Sequence, residues 1–242
     1  MPVLRIGHKG ADALVPGNTV ASFRRAVEIG VDLIEFDVLW LPDGRPEMPA
    51  SERSPLVVAH DWEAAARGPV PTLEEALAAF IEAPLDRVRI NLDLKLPGRE
   101  EEVVEAIERY GLGQRTSIST METSSLRAFR ELLPEMPRGW TVPKVNRDWT
   151  AIPLLRPVLG LGVLALRRRM PEVVRRGLPD LAVDSVWAFH GVTSPGLLAV
   201  TRAAGVGLNV WTVDDPGQVA RLEAMGVDGI CSNDPRILNR PD

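Results

Sequence analysis

The sequence predicts an α/β protein built as a (β/α)8 TIM barrel, and three observations carry that expectation. Strand-like and helix-like segments alternate from one end of the 242 residues to the other. Eight segments read as parallel strands, the number that closes a barrel. In two of those strands polar and charged residues interrupt an apolar run with a period of two, late in the strand, where barrel enzymes keep their chemistry. Barrels of roughly 250 residues are common, so residues 1–242 are expected to form a single barrel domain.

Each element has its own signal. Val3–Gly7 is a short apolar strand. Asn18-Thr19 precedes a helical pattern with Val20, Phe23 and Val27 on one face, and Gly30 is its stop. Asp32–Trp40 is the second strand. No helix fits between Trp40 and Pro55; Pro42-Asp43-Gly44 is a turn, and Pro55–Ala59 reads as an antiparallel return. A β-hairpin excursion is therefore expected after strand two, with a polar, proline-rich exposed piece at Arg45–Ser54. Thr72-Leu73-Glu74-Glu75 is a capping box.

Val88–Leu94 is strand three, followed by a helix with Val103, Val104 and Ile107 inward that ends at Gly111. Thr116–Ser119 is strand four, Leu126–Leu133 lies in its helix, and Gly139–Val142 is strand five. Residues from about Pro153 to Arg176 read as helix in two pieces, broken near Pro171 because proline removes a backbone donor. Leu181–Trp187 is strand six and Gly207–Val213 strand seven. Asp215-Pro216 opens the last helix with proline at its first position, and Gly229–Ser232 is strand eight.

Composition narrows the function classes. The hydrophobic fraction is 45 % and the charged fraction 25 %, which suits a folded core. The net charge of −5 offers no basic footprint for nucleic acid. Cys231 is the only cysteine, so an intramolecular disulfide is excluded. The chain enters a strand at Val3, leaving no room for a signal peptide, and a cytoplasmic protein is the expectation. The longest apolar run, Val158–Leu166, falls well short of the roughly 18 residues that span a bilayer. Stable membrane insertion is not expected. Arg167-Arg168-Arg169 and Arg175-Arg176 read as a solvated helix face, with contact between this stretch and lipid headgroups as the second reading.

The chemistry is carried by residues in unusual places. In Leu33-Ile34-Glu35-Phe36-Asp37-Val38 the two carboxylates share one face of the strand, and Asn91, Asp93 and Lys95 share a face of strand three. A wet strand face would accommodate them, but strands covered by helices have none. Unpaired carboxylates so close would repel one another and lose hydration. A bound cation removes that conflict, and an all-oxygen set suits a hard ion such as Mg²⁺ or Ca²⁺. A salt-bridge network with Lys95 is the competing reading. His8 ends strand one and His60 ends the returning segment, both at the same mouth, a pair suited to acid–base work. His190 falls in a loop and reads as structural. Trp211 reads equally as core or as a wall for the organic part of a substrate.

Taken together these residues resemble the glycerophosphodiester phosphodiesterase family, over nearly the whole chain. His8-Lys9-Gly10 is similar to its opening His-Arg-Gly, Glu35-Phe36-Asp37-Val38 to its Glu-x-Asp-Val, and Pro42-Asp43-Gly44 to the Asp-Gly turn that follows. Val58-Ala59-His60-Asp61 resembles its His-Asp, Asn91-Leu92-Asp93-Leu94-Lys95 its Asn-x-Glu-x-Lys, and Val210-Trp211-Thr212-Val213 and Gly226-Val227-Asp228-Gly229-Ile230 match near the end. The resemblance implies metal-dependent hydrolysis of a glycerophosphodiester to glycerol 3-phosphate and an alcohol. It implies one divalent cation held by Glu35, Asp37 and Asp93, and His8 and His60 as acid and base. Lys9 and Lys95 would hold phosphate oxygens. The alternatives are a lysophospholipase D-like or sphingolipid phosphodiesterase that forms a cyclic phosphate, and a non-catalytic barrel that binds a phosphorylated ligand. This chain departs from the family pattern at five positions: Lys9 for Arg, Gly17 for Glu, Asp93 for Glu, and Asp214 and Asn233 where Asn and Asp are usual.

Overall fold

The computed structural model describes residues 2–144 and 156–238, with side chains described from residue 160 in the second stretch. Eight parallel strands close into a barrel in chain order: β1 (Leu4–His8), β2 (Leu33–Val38), β3 (Arg89–Leu94), β4 (Thr116–Thr120), β5 (Arg138–Val142), β6 (Ser185–Phe189), β7 (Gly207–Trp211) and β8 (Gly229–Ser232). The helices are α1 (Val20–Ile29), α2 (Trp62–Ala66), α3 (Leu73–Phe80), α4 (Glu100–Arg109), α5 (Thr123–Leu132), α6 (Arg156–Leu181), α7 (Pro195–Ala203) and α8 (Pro216–Met225).

Helix ends follow local chemistry. Thr19 caps α1 by accepting from Ser22 N at 3.2 Å, and Gly30 stops the helix at φ 96°, a left-handed conformation that side chains disfavour. Thr72 and Glu75 form the reciprocal capping box of α3. Asp215 caps α8 by accepting from Gln218 N at 2.7 Å, with Pro216 in the first turn.

Strand alternation separates two kinds of packing. Ile34, Phe36, Val38, Ile90, Leu92 and Leu94 point outward into one core with Phe23 of α1 and Leu77 and Phe80 of α3. Three rings knit it together: Phe23, Phe36 and Phe80 have centroids 5.1 to 5.7 Å apart. Residues of the opposite phase, Ile6, Leu33, Trp187 and Cys231, form a small apolar plug inside the barrel. Above that plug, toward the C-terminal ends of the strands, the interior turns polar.

The open bottom of the barrel is held by one device used three times. Asp32, Asp184 and Asp228 each stand just before β2, β6 or β8 and clasp the preceding strand by two bonds. Each backbone N–H donates to the carbonyl of Arg5, Arg138 or Leu208, at 2.8 to 2.9 Å. Each carboxylate accepts from the backbone N–H of that same residue, at 2.7 to 2.9 Å. A Val-Asp dipeptide marks all three sites: Val31-Asp32, Val183-Asp184 and Val227-Asp228.

Three expectations change in detail. The excursion after β2 is present, but its return is a single antiparallel bridge between Leu39 and Val57 rather than a five-residue strand. It is anchored instead by Arg99, buried ahead of α4, which donates to Gly44 O at 3.1 Å and Ser54 O at 2.9 Å. Helix α6 runs unbroken through Pro171 and Pro179, and residues 153–155 of the expected helix lie outside the described residues. Because α6 continues to Leu181, β6 begins at Ser185, four residues later than the expected Leu181; Ala182 turns the chain between them at φ 47°.

The clasps give a stability prediction. Asp184→Ala leaves Arg138 N–H without its carboxylate and is expected to cost about 1 kcal/mol, read as a lower urea midpoint with unchanged m-value. At Asp32, burial pushes the carboxyl up, but the bonds from the Arg5 side chain and backbone outweigh it and hold it below the ordinary range. Its contribution is therefore full above about pH 4 and is lost as pH falls through the depressed value. Asp32→Asn should reduce the loss of stability between neutral and acid pH.

Candidate active site

The register brings the polar residues into one layer. His8 lies beside Glu35, Glu35 beside Asn91, Asp37 beside Asp93, and Asp93 beside Ser119 across four adjacent strands. Because side chains alternate, all of these enter the barrel at the upper, C-terminal end. Oxygens of Glu35, Asp37 and Asp93 fall within 4.8 Å of one another, and all three residues are buried.

Each carboxylate is oriented by neighbours. Asp93 Oδ1 accepts from Ser119 Oγ at 2.6 Å and Thr141 Oγ1 at 3.2 Å. Asp37 is gripped by Asn18, whose Nδ2 donates to Oδ2 at 2.8 Å while its Oδ1 accepts from Asp37 N at 3.1 Å. Glu35 Oε2 accepts from the backbone N–H of Lys9 at 3.1 Å. Lys9 can present that N–H because it sits at φ 51°, followed by Gly10 at φ 88°, in a tight loop after β1. A Cβ at Gly10 would meet the Ser22 backbone at 2.6 Å, so the loop closes only with glycine there.

Lys95 stands among the carboxylates, with Nζ 2.6 Å from Asp37 Oδ1 and 2.5 Å from Asp93 Oδ2. Burial alone would lower its pKa, yet Asp37, Asp93 and Glu35 drive it upward, so it stays charged. Burial raises the Asp37 carboxyl, but Lys95 and Lys9 overcome that and hold it well below the ordinary range. Glu35 is the member left over: burial and then the charge of Asp37 push its pKa well above the usual value. One ammonium thus serves three carboxylates. Asp37 Oδ1, despite its charge contact with Lys95, makes no hydrogen bond of acceptable angle. A surplus of buried negative charge, three carboxylates around one lysine, fits a divalent cation bound by Glu35, Asp37 and Asp93. The salt-bridge network with Lys95 is present beside that cluster.

The two histidines differ in setting. His8 is mostly buried in the floor, Nε2 3.9 Å from Glu35 Oε2 and Nδ1 2.6 Å from Asn233 Oδ1. Burial, then the charge of Lys9, lowers its pKa. His60 is on the rim, with about half its side chain exposed (51 %), its Nδ1 2.9 Å from Asp61 Oδ2. It lines a cavity of about 270 Å³ with Lys9, Asn18, Thr19, Arg67 and Val70. Lys9 Nζ faces Asp12 at 3.9 Å along the same wall. Trp211 is half-buried, donates its indole N–H to Trp187 O at 3.1 Å and packs on Phe189. His190 Nδ1 lies 2.8 Å from Thr212 O, and its ring packs at a tilt against Phe189.

The sequence reading missed Asn18, Ser119 and Thr141 as site residues, and singled out Asp214 and Asn233 only as departures from the family pattern. Asn18 read as part of a helix start, whereas Thr19 makes the cap and Asn18 turns inward at φ 59°. A signal did exist for Ser119 and Thr141: hydroxyls in barrel strands, in phase with the interior.

An eight-stranded parallel barrel with a buried carboxylate cluster and a histidine at its C-terminal mouth is the architecture of a barrel enzyme. The profile of the glycerophosphoryl diester phosphodiesterase family matches residues 8–48 and 48–237, and the chain belongs to that family of phosphoric diester hydrolases. It is 28% identical over 274 residues to a glycerophosphodiester phosphodiesterase from Caldanaerobacter subterraneus subsp. tengcongensis, covering 98% of this chain and 97% of that one. Among solved structures, a glycerophosphodiester phosphodiesterase from Parabacteroides distasonis matches with TM-score 0.69 and 22% identity, over 94% of this chain and 91% of the other. An Oleispira antarctica phosphodiesterase, solved with its product sn-glycerol-3-phosphate, matches with TM-score 0.67 and 21% identity, over 98% and 94%. At these identities the structural matches speak to the fold.

The cluster yields a direct test. Mg²⁺ or Ca²⁺ titrated into chelator-treated protein is expected to raise the thermal midpoint, by mass action on the folded state. Asn18→Ala, which frees Asp37 to rotate, should weaken the apparent cation affinity by about tenfold in the same titration. A midpoint insensitive to either ion would remove the cluster as a cation site.

Proposed function

We propose that this chain, acting as one barrel domain over residues 1–242, hydrolyses glycerophosphodiesters to glycerol 3-phosphate and an alcohol. The observation that carries the reading is the joint burial of Glu35, Asp37 and Asp93 at the mouth where His8 also points. Family membership supports the substrate class.

In the reaction a water oxygen bonds to phosphorus and the bond from phosphorus to the alcohol oxygen breaks. One proton leaves the water and one reaches the departing alkoxide. His8, in the floor, and His60, on the rim, supply the acid–base pair on the two sides of the bound diester. Glu35, Asp37 and Asp93 would hold one divalent cation, Mg²⁺ or Ca²⁺, which when bound would neutralise the phosphodiester charge and the charge growing on the phosphoryl oxygens. Lys95, kept protonated by its carboxylates, adds a fixed positive charge near the phosphate. Lys9 faces the cavity beside His60, where it can attract an anionic substrate. Trp211, at the end of β7, borders the organic part of the substrate.

One surface feature favours a second reading, a lysophospholipase D-like or sphingolipid phosphodiesterase whose substrate carries an acyl chain. The first half of α6, which follows the C-terminal end of β5, exposes Leu161, Leu164 and Leu166. Arg168 and Arg169, which come next, are exposed too. Exposed leucines followed by basic residues suit contact with an anionic lipid surface. Among the described residues no helix is long and apolar enough to cross a membrane.

The decisive measurement is an enzyme-coupled glycerol 3-phosphate assay over several glycerophosphodiesters, with Mg²⁺, Ca²⁺ or chelator. Turnover should disappear with chelator and return with a divalent ion. His8→Ala and His60→Ala should each cost at least about a hundredfold in rate. Full activity in chelator would retire the cation, and full activity in the histidine variants would retire the acid–base pair. Turnover of a lysolipid with refusal of glycerophosphocholine would favour the second reading.

A further inference from the structure

We propose that Asp214 and Asn233 form a positioning relay that locks the His8 imidazole in the tautomer carrying its proton on Nδ1. The proposal rests on the reading of His8 as an acid–base group.

The three residues lie at the ends of adjacent strands. Asp214 follows β7, Asn233 follows β8, and His8 ends β1, which pairs with β8. Asp214 receives three donors. Its Oδ2 accepts from Asn233 Nδ2 at 2.7 Å, and its Oδ1 accepts from Asn233 N at 2.9 Å and from Ser232 Oγ at 3.0 Å. The backbone of Asn233 is tied on its other side as well, its carbonyl accepting from Ala13 N at 3.0 Å.

The orientation of the Asn233 amide follows from donor and acceptor chemistry. An ionised carboxylate only accepts, so the amide must turn its NH₂ toward Asp214. That leaves Asn233 Oδ1 facing His8 Nδ1 at 2.6 Å. An amide oxygen is also acceptor-only, so the proton between them belongs to Nδ1. The lone pair of the neutral ring is then on Nε2, the nitrogen that points toward Glu35 Oε2 at 3.9 Å. The opposite amide orientation would set oxygen against oxygen at Asp214 and NH₂ against His8. Asp214 therefore acts on His8 without touching it.

This explains the reversed residues of the sequence. The family pattern has Asn and Asp where this chain has Asp214 and Asn233. Either order keeps one carboxylate facing one amide, and either presents an acceptor oxygen to His8 Nδ1. A single exchange does not: Asp214→Asn frees the Asn233 amide to flip, and Asn233→Asp opposes two carboxylates.

The test combines a spectroscopic and a kinetic readout. The imidazole nitrogens of His8 are observed by ¹⁵N NMR in full-length protein, at a pH where the ring is neutral. We expect Nδ1 to resonate as the protonated nitrogen and Nε2 as the lone-pair nitrogen. Asp214→Asn should give a mixed tautomer and lower kcat by about ten- to a hundredfold, with KM within about twofold. Because Asp214 is exposed, this variant is expected to fold, and its urea midpoint checks that. The double variant Asp214→Asn/Asn233→Asp should recover most of the lost kcat and a single tautomer. The inference is overturned if wild-type His8 carries its proton on Nε2. It is also overturned if Asp214→Asn changes neither tautomer nor kcat, or if the double variant is as slow as the product of the single effects. A wild-type protein with the expected tautomer and no diesterase turnover would instead sink the proposed function and leave the relay standing.

Discussion

The energetic centre of this protein is the burial of three carboxylates against a single lysine inside a closed barrel. Glu35, Asp37 and Asp93 have almost no access to water, and Lys95 lies between two of them. In a medium of low dielectric such an arrangement stands only if every charge is paired or hydrogen-bonded. Much of the surrounding structure meets that demand. Ser119 and Thr141 bind Asp93, Asn18 binds Asp37 from two sides, and the left-handed turn at Lys9 gives Glu35 a backbone donor. The residual negative charge is what makes the site suited to a hard cation, and it explains why a hydrolase would tolerate so costly a core.

Around that centre the barrel divides its labour by height. The outward strand residues pack on helices, the lower interior is an apolar plug, and the upper interior is polar. Rigid support comes from below, where the three Val-Asp clasps bind strands together in pairs. Chemistry comes from above, on loops that are tightened by specific bonds. The loop after β1 illustrates this, for Asn18 N donates to Lys9 O at 3.1 Å and Ser22 Oγ donates to the same carbonyl at 2.9 Å.

The departures from the family pattern become coherent in pairs. Gly17 has no room for a side chain, because a Cβ there would lie 2.5 Å from the Asp12 carboxylate. Asp12 instead accepts from Gly17 N at 2.8 Å and faces Lys9 Nζ. Loss of the usual Glu at 17 and of the usual Arg at 9 thus accompanies an acid supplied from position 12. The Asp214–Asn233 reversal is a second compensated pair. Asp93, one methylene shorter than the usual Glu, still reaches the cluster because its register partner across β2 is Asp37 itself.

By itself the sequence determined the barrel, and it singled out His8, Glu35, Asp37, His60 and Asp93 as candidates for the site. Period-two carboxylates and strand-ending histidines are local patterns, and alternation along a strand converts them into a shared face. The Val-Asp dipeptide before three strands went unread in the sequence, because its meaning needs the strand it clasps. The tertiary structure decided what depends on closure. Only the register of neighbouring strands sets Ser119 and Thr141 on Asp93, and only the meeting of β7, β8 and β1 joins Asp214 to His8 through Asn233. It also separated the two histidines, one mostly buried in the floor and one half-exposed on the rim. The continuous α6 belongs here as well, because packing of Met170, Val174 and Leu178 in the core holds the helix through Pro171 despite the missing donor. Contacts between residues far apart in the chain have no local signature, because they exist only once the barrel has closed.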